Sequence, residues 1–309
     1  MEKEFKTIDE QIQILKSRNL IIQNYDNAYR ILAKNNYYYL INGYKELFLD
    51  KTREEERYIK NTKIEEIYAL YNFDKEIKIN FLKYLLLIEN EIDTYIAYEF
   101  SKTYGHKNYL ILKNFNDSVS KKFLIEKYIN DINLEIQYQY KNANGMIMHY
   151  LDKYKYIPLW VLVRVLSFGK ISKFYSLMKP KEQNAISKKY NLRIHEFKVI
   201  LHNLTLIRNI CAHDEKLYDI KMKSRISSTI YHQKLGIKSI KGNYQFATRD
   251  LFSVVISLKM LLEKKEFEVF YKKIIKDIEE IQKKITTIEI NDVLVKMGFP
   301  KNYKKLLKL

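Results

Sequence analysis

Seven glycines and three prolines are spread over 309 residues. Sheet folds need turn residues after every few strands, so punctuation this sparse argues against an all-β chain and for long helices. Hydrophobic residues make up 47% of the chain, enough to bury a sizeable core. The expected class is all-α, with about nine helices read from apolar periodicity.

The pattern along the chain supplies the elements. Ile8, Ile12 and Leu15 share one helical face over residues 8–18, and Asp26 is a candidate N-cap for a helix over 27–34. NNYYYLINGY at 35–44 reads as an aromatic turn ending at Gly43, and residues 50–63, without an apolar cluster, as an exposed connection. Two helices are expected next, 64–73 and 74–100, the second carrying Ile77, Phe81, Leu85, Ile88, Ile92 and Tyr95 at helical spacing before Gly105. One more helix is expected over 120–138. Pro158 opens LWVLVRVLSFG at 159–169, with Gly169 suiting a helix end. Residues 170–190 read as helix interrupted at Pro180, 195–217 as one helix, and 225–247 as a loop or short hairpin. Residues 250–285 read as one or two basic helices and 290–309 as a short helical tail. The expected division is an N-terminal helical segment 1–60, a helical core 61–224 and a basic extension 225–309 packed on it.

Charge is unevenly placed. The chain carries 55 Lys+Arg against 37 Asp+Glu, a net of +18, yet residues 1–100 are slightly acidic, so the whole excess lies beyond residue 100. A polyanion partner would account for it, and so would lysine-rich codon bias in an AT-rich genome, since 46 of the basic residues are Lys. One cysteine, Cys211, excludes an internal disulfide framework and a zinc site of paired cysteines, which points weakly to a reducing, cytoplasmic location. The charged start is not a signal peptide, and no apolar run approaches the ~20 residues of a membrane span, so no membrane is expected as partner.

HNLTLIRNICAHDEKLYD at 202–219 carries the chemistry. Phe197, Ile200, Leu201, Leu204, Ile207 and Cys211 follow three- and four-residue steps and form the inward face, with Cys211 read as a small core residue. His202, Leu206, Asn209, His213 and Lys216 form a second stripe by the same spacing. Arg208 lies about 140° round an ideal helix from His213, within swing of the same opening. An imidazole that titrates near neutrality, a guanidinium and an amide suit phosphodiester chemistry without a metal or other cofactor. Arg-x4-His is a short pattern, and a buried Arg–His pair bonding the backbone fits it as well. Trp160, after Pro158, reads as a core or dimer anchor.

Several blocks in order make the chain similar to a known family. QIQILKSRNLII at 11–22, NNYYYLINGY at 35–44, the stretch 70–105, HYLDKYKYIPLWVLVRVLSFGKISKFY at 149–175, LHNLTLIRNICAHDEKLYD at 201–219, DLFSVVISLKMLL at 250–262 and VKMGFPKNY at 295–303 resemble the Abi-like abortive-infection family, AbiD/AbiF type, of the HEPN superfamily. The resemblance implies a HEPN-like helical bundle with additional N- and C-terminal helices. It places the superfamily signature on Arg208 and His213, with Asn209 directly after the arginine. It implies a metal-independent endoribonuclease acting as a homodimer in anti-phage defence, in a toxin-like manner, with RNA as substrate and an associated noncoding RNA as a further partner. The chain departs from the family where Asp214 stands for a second histidine, Tyr39 and Lys78 for arginines, and Arg164 for an acidic residue. A carboxylate beside His213 would raise its pKa or repel phosphate.

Two readings follow. In the first, the protein cuts RNA: His213 moves the proton of the 2′-hydroxyl or leaving oxygen, Arg208 holds the phosphate, and Asn209 orients the ring or a substrate hydroxyl. His202, Lys216, Lys170 and Lys173 are candidate RNA contacts. In the second, it is a non-catalytic HEPN protein that holds a structured noncoding RNA or a defence partner. A membrane-active toxin finds little support, because acids intersperse the basic helices at 259–284.

Overall fold

The computed structural model describes residues 4–309. Thirteen α-helices account for most of them: α1 Ile8–Ser17, α2 Tyr25–Lys34, α3 Ile64–Tyr104, α4 Lys122–Lys141, α5 Gly145–Tyr154, α6 Leu159–Leu162, α7 Phe168–Leu177, α8 Pro180–Ser187, α9 Ile194–Ala212, α10 Ile230–Lys234, α11 Leu251–Leu261, α12 Lys264–Gln282 and α13 Ile290–Met297. The only sheet among the described residues is a hairpin of two-residue strands, β1 Ser239–Ile240 and β2 Asn243–Tyr244, paired antiparallel. Lys241 and Gly242, both at positive φ, form its turn, which matches the twist of the strands. The fold is all-α, as the scarcity of Gly and Pro implies.

α3 organises the rest. It is one unbroken helix of 41 residues, not the two expected. Nothing between Phe73 and Asp74 breaks it, and Asp74 is no cap: its carboxylate is fully buried and accepts from the peptide N–H groups of Leu217 and Tyr218. The apolar stripe Ile77, Phe81, Leu85, Ile88 and Ile92 is buried throughout. Gly105, at φ +85°, ends the helix, its N–H donating to the Ser101 carbonyl at 2.8 Å. α6, α8, α9 and α12 pack along α3, and α7 packs on α9. A single cluster of buried side chains runs from Ile12 to Leu306.

The caps and joints differ from expectation in identifiable ways. Asn24, not Asp26, caps α2 by accepting the Asn27 N–H at 2.8 Å, so the helix starts two residues earlier. Within residues 35–44 a short π-helical turn covers Tyr38–Asn42; Leu40, Ile41 and Tyr44 are buried, and Tyr38 and Tyr39 are exposed. The stretch 50–63 is not simply exposed. Tyr58 and Thr62 are buried, and backbone bonds from Tyr58 to Arg18, and from Ile59 to Phe48, staple it to the N-terminal helices. The helix expected over 159–169 stops after one turn, because Ser167 caps a new helix by accepting the Lys170 N–H. Gly169 therefore lies in the first turn of α7, where a Cβ would stand 3.5 Å from the Thr205 methyl of α9. Residues 250–285 form two helices. α11 is apolar and buried rather than basic, with Lys259 its one charged residue, while α12 is amphipathic. No described helix is long and apolar enough to cross a membrane.

Candidate functional site

α9 and the turn after it carry Arg208, Asn209 and His213. The six inward residues read from periodicity, Phe197, Ile200, Leu201, Leu204, Ile207 and Cys211, are all buried. Cys211 is core: burial pushes its thiol up to about 12, which removes the thiolate a nucleophile would need. On the other side His202, Leu206 and Asn209 are exposed.

The helix ends earlier than its spacing suggests. Ala212 is its last residue and His213 its C-cap, the His213 N–H donating to the Asn209 carbonyl at 2.9 Å. The ring of His213 is exposed and, among the described residues, makes no hydrogen bond, and the Asn209 side chain is likewise open. Asp214 takes the left-handed conformation at φ +56° and turns the chain away. Lys216 is thus off the helix, and the stripe drawn through it stops at His213. Its ammonium binds Asp219 at 2.7 Å and lies over the Tyr218 ring.

Three groups from outside the motif build its surroundings. Glu89 of α3 accepts from Arg208 Nε at 3.2 Å; both side chains are half-buried or deeper, so the arginine is held and not swinging. Lys78 of α3 is buried. Its ammonium pairs with the Asp214 carboxylate at 2.6 Å and donates to the carbonyls of Asp214 and Glu215 at 3.3 and 3.1 Å. Lys78 thus stands between two carboxylates, Asp214 and, at 3.5 Å, the buried Asp74.

Below the turn, Asp74 accepts the N–H of Leu217 at 3.1 Å and of Tyr218 at 2.7 Å, and the Tyr44 hydroxyl at 2.6 Å. Burial pushes the Asp74 carboxyl up, against the pull of Lys78, Tyr44 and the two peptide N–H groups. Burial and the Asp74 charge push the Tyr44 hydroxyl up, which keeps it a donor.

The other candidate contacts lie apart. Lys170 and Lys173 sit on α7, where Lys170 pairs with Glu135 and Lys173 approaches Asp131 at 3.6 Å and lies over the Tyr128 ring. Each lysine already faces an α4 carboxylate. Trp160 is no core residue: it is 52% exposed, with its ring 5.2 Å from that of His106. Among the described residues no group of three His, Cys, Asp or Glu could hold a metal ion. Sequence reasoning missed Glu89 and Asp74 as parts of the site. The available signal was a carboxylate placed on or beside the apolar stripe of a long helix.

A family model described as Abi-like protein matches residues 30–219, well over half of the chain and the whole stretch from α3 through the turn after α9. No curated protein and no solved structure matches it.

Proposed function

The chain belongs to the Abi-like protein family, and we propose that it is a HEPN-type, metal-independent endoribonuclease of an abortive-infection system. One observation carries this: an open imidazole, His213, and an open amide, Asn209, stand at the end of α9, on the same last turns as Arg208, whose guanidinium pairs with Glu89. His213 takes the proton of a ribose 2′-hydroxyl, whose oxygen attacks the adjacent phosphorus. The bond to the 5′-oxygen breaks, that oxygen takes up a proton, and the products are a 2′,3′-cyclic phosphate and a 5′-hydroxyl. Arg208 holds the non-bridging oxygens as their charge grows, and Asn209 orients the ring or the attacking hydroxyl. In this reading RNA is the substrate and a structured noncoding RNA an associated partner. Two protomers act together, the exposed Leu206 beside Asn209 lying on the face where a second copy would meet the first.

The test compares the purified parent with His213→Ala and Arg208→Ala on a mixed RNA pool, scoring cyclic-phosphate ends. Loss of cleavage in both variants is expected, and equal cleavage by all three sinks the proposal. The non-cutting alternative draws on the Arg208–Glu89 pair, which ties the arginine into the structure. Under that reading the protein copurifies with RNA whose ends are untrimmed.

A further inference from the structure

Where α3 ends, aromatic rings gather on the surface in a row. Centre to centre, Trp160 lies 5.2 Å from His106, His106 5.4 Å from Tyr156, Tyr156 6.5 Å from Tyr154, and Tyr154 5.6 Å from Tyr150. Successive planes are tilted by 35° to 55° and not stacked, so neighbours do not use up each other's faces. Trp160 and Tyr154 are 52% and 44% exposed. Beyond Trp160 the row runs into a cleft of about 520 Å³, which Trp160 shares with the exposed Tyr98 of α3. Two bonds fix the row to the body of the protein. The Leu159 N–H donates to the His106 carbonyl at 2.8 Å, and the buried Tyr109 hydroxyl donates to the Ile157 carbonyl at 2.9 Å.

Cations are interleaved with the rings. The ammonium groups of Lys102, Lys107 and Lys153 lie over Tyr98, Tyr156 and Tyr154, at 5.8, 5.5 and 5.2 Å from the ring centres. Lys155, in the left-handed conformation after α5, and Arg164 are exposed beside them. Among the described residues none of these five cations pairs with a carboxylate, whereas Lys170, Lys173, Lys272 and Lys276 each face one. The one acid of α5, Asp152, accepts the Tyr140 hydroxyl of α4 at 2.9 Å.

We propose that this row is a docking surface for single-stranded RNA, whose bases stack on Trp160, Tyr154 and the rings between them while its phosphates meet Lys102, Lys107 and Lys153. Exposed rings alternating with unpaired cations are what a single strand needs, because each nucleotide brings one flat apolar base and one negative charge. A duplex keeps its base faces stacked inside and cannot use the rings. A second copy of the chain is a poor occupant, since a two-fold contact would set the same unpaired cations against each other. The choice of RNA among single strands rests on the ribonuclease reading. The row contains none of Arg208, Asn209 and His213, so its part is to hold the strand and not to cut it.

Trp160 is the single tryptophan, so its fluorescence reports on this row alone. The experiment adds a labelled oligouridylate of about 16 nucleotides to the His213→Ala protein, in which cutting plays no part. Saturable quenching of Trp160 is expected, with a matching rise in the anisotropy of the label, and the same strand annealed to oligoadenylate should bind at least about fivefold more weakly. Trp160→Ala and Tyr154→Ala, each at an exposed position, should each weaken binding of the single strand at least about fivefold. Changing Lys102, Lys107 and Lys153 together to Gln should lower the slope of log affinity against log salt by about 2. Changing Lys272, Lys276 and Lys304 to Gln, three lysines that already face glutamates, should leave that slope as it is. No quenching, equal affinity for the duplex, undiminished affinity in either aromatic variant, or the same slope change from both lysine sets overturns the proposal. Should an aromatic variant fail to fold, the two lysine sets decide. A parent protein that yields cyclic-phosphate ends while its RNA binding ignores the row refutes the row and leaves the ribonuclease standing; RNA held on the row and left uncut by the parent does the reverse.

Discussion

Asp93 makes folding stability depend on pH in a direction opposite to that of most carboxylates. Burial pushes its carboxyl up to about 7, with the Glu89 carboxylate adding to the shift and Arg164 opposing it. In the unfolded chain the group ionises near about 3.9. Between those values the folded protein binds a proton that the unfolded chain has released. Stability therefore falls as pH rises, by about 1.4 kcal/mol per unit, and the loss is complete above pH 7. Summed over the window it reaches about 4 kcal/mol. Asparagine has the same shape and does not ionise, so Asp93→Asn deletes this dependence. Measured against the parent, the variant should gain about 2.7 kcal/mol of relative stability between pH 5 and pH 8. The buried amide brings a pH-independent cost of about 1–3 kcal/mol for its own unpaired N–H, so the slope of the difference is diagnostic and its offset is not. Urea unfolding followed by far-UV circular dichroism at pH 5, 6, 7 and 8 gives that slope, with all other titrating groups cancelling between parent and variant. A difference constant within about 0.5 kcal/mol across this range would show that Asp93 is ionised in the fold and refute the reasoning.

Other positions make separate predictions. Lys78→Met should destabilise by about 3 kcal/mol, because Asp74 is left buried without its cation; the double variant with Asp74→Asn should lose less than the sum of the two single changes, and additivity in urea melts would refute the coupling. Gly298→Ala places a Cβ 2.0 Å from the Asp250 Cγ at φ +77°, so a loss of about 2–5 kcal/mol is expected, and a melting temperature within a degree of the parent would contradict it. Cys211, buried and with its thiol pushed up to about 12, should resist iodoacetamide at pH 8 in the folded protein and react readily in guanidinium, as mass spectrometry can score; equal labelling rates in the two states would place it outside the core.

What the sequence discloses is what depends on local spacing. The inward faces of α3 and α9 are readable because Ile77, Phe81, Leu85 and Ile88, and Phe197, Ile200, Leu204 and Ile207, repeat at the helical period, and burial follows that period. The open side of α9 is readable for the same reason, His202, Leu206 and Asn209 being exposed. The points that went astray depend on partners far along the chain. Asp74 resembles a helix start until its carboxylate is seen to receive Leu217 and Tyr218, 143 and 144 residues later. Lys216 continues the stripe of α9 on paper, but Asp214 turns left-handed where Lys78 holds it, and the helix has already ended. Gly169 suits a helix end by composition and instead meets Thr205 inside a first turn. Trp160 looks like core because tryptophan is large and apolar, yet it faces a cleft that only the packing of α3 creates.

The polar residues buried in α3 share one role in placing the candidate site. Glu66 receives the N–H groups of Thr286 and Thr287, Asn80 donates to the Phe270 carbonyl, Asp74 receives the turn after α9, and Lys78 clasps Asp214. Glu89, nearly as deep, holds Arg208. Each of these groups is satisfied by a residue 119 to 221 positions away, so a single rigid helix fixes where the later half of the chain sits, including the turn that bears His213. Among the described residues of α3, Glu65, Asp93 and Ser101 each keep a buried side-chain oxygen with no hydrogen-bond partner.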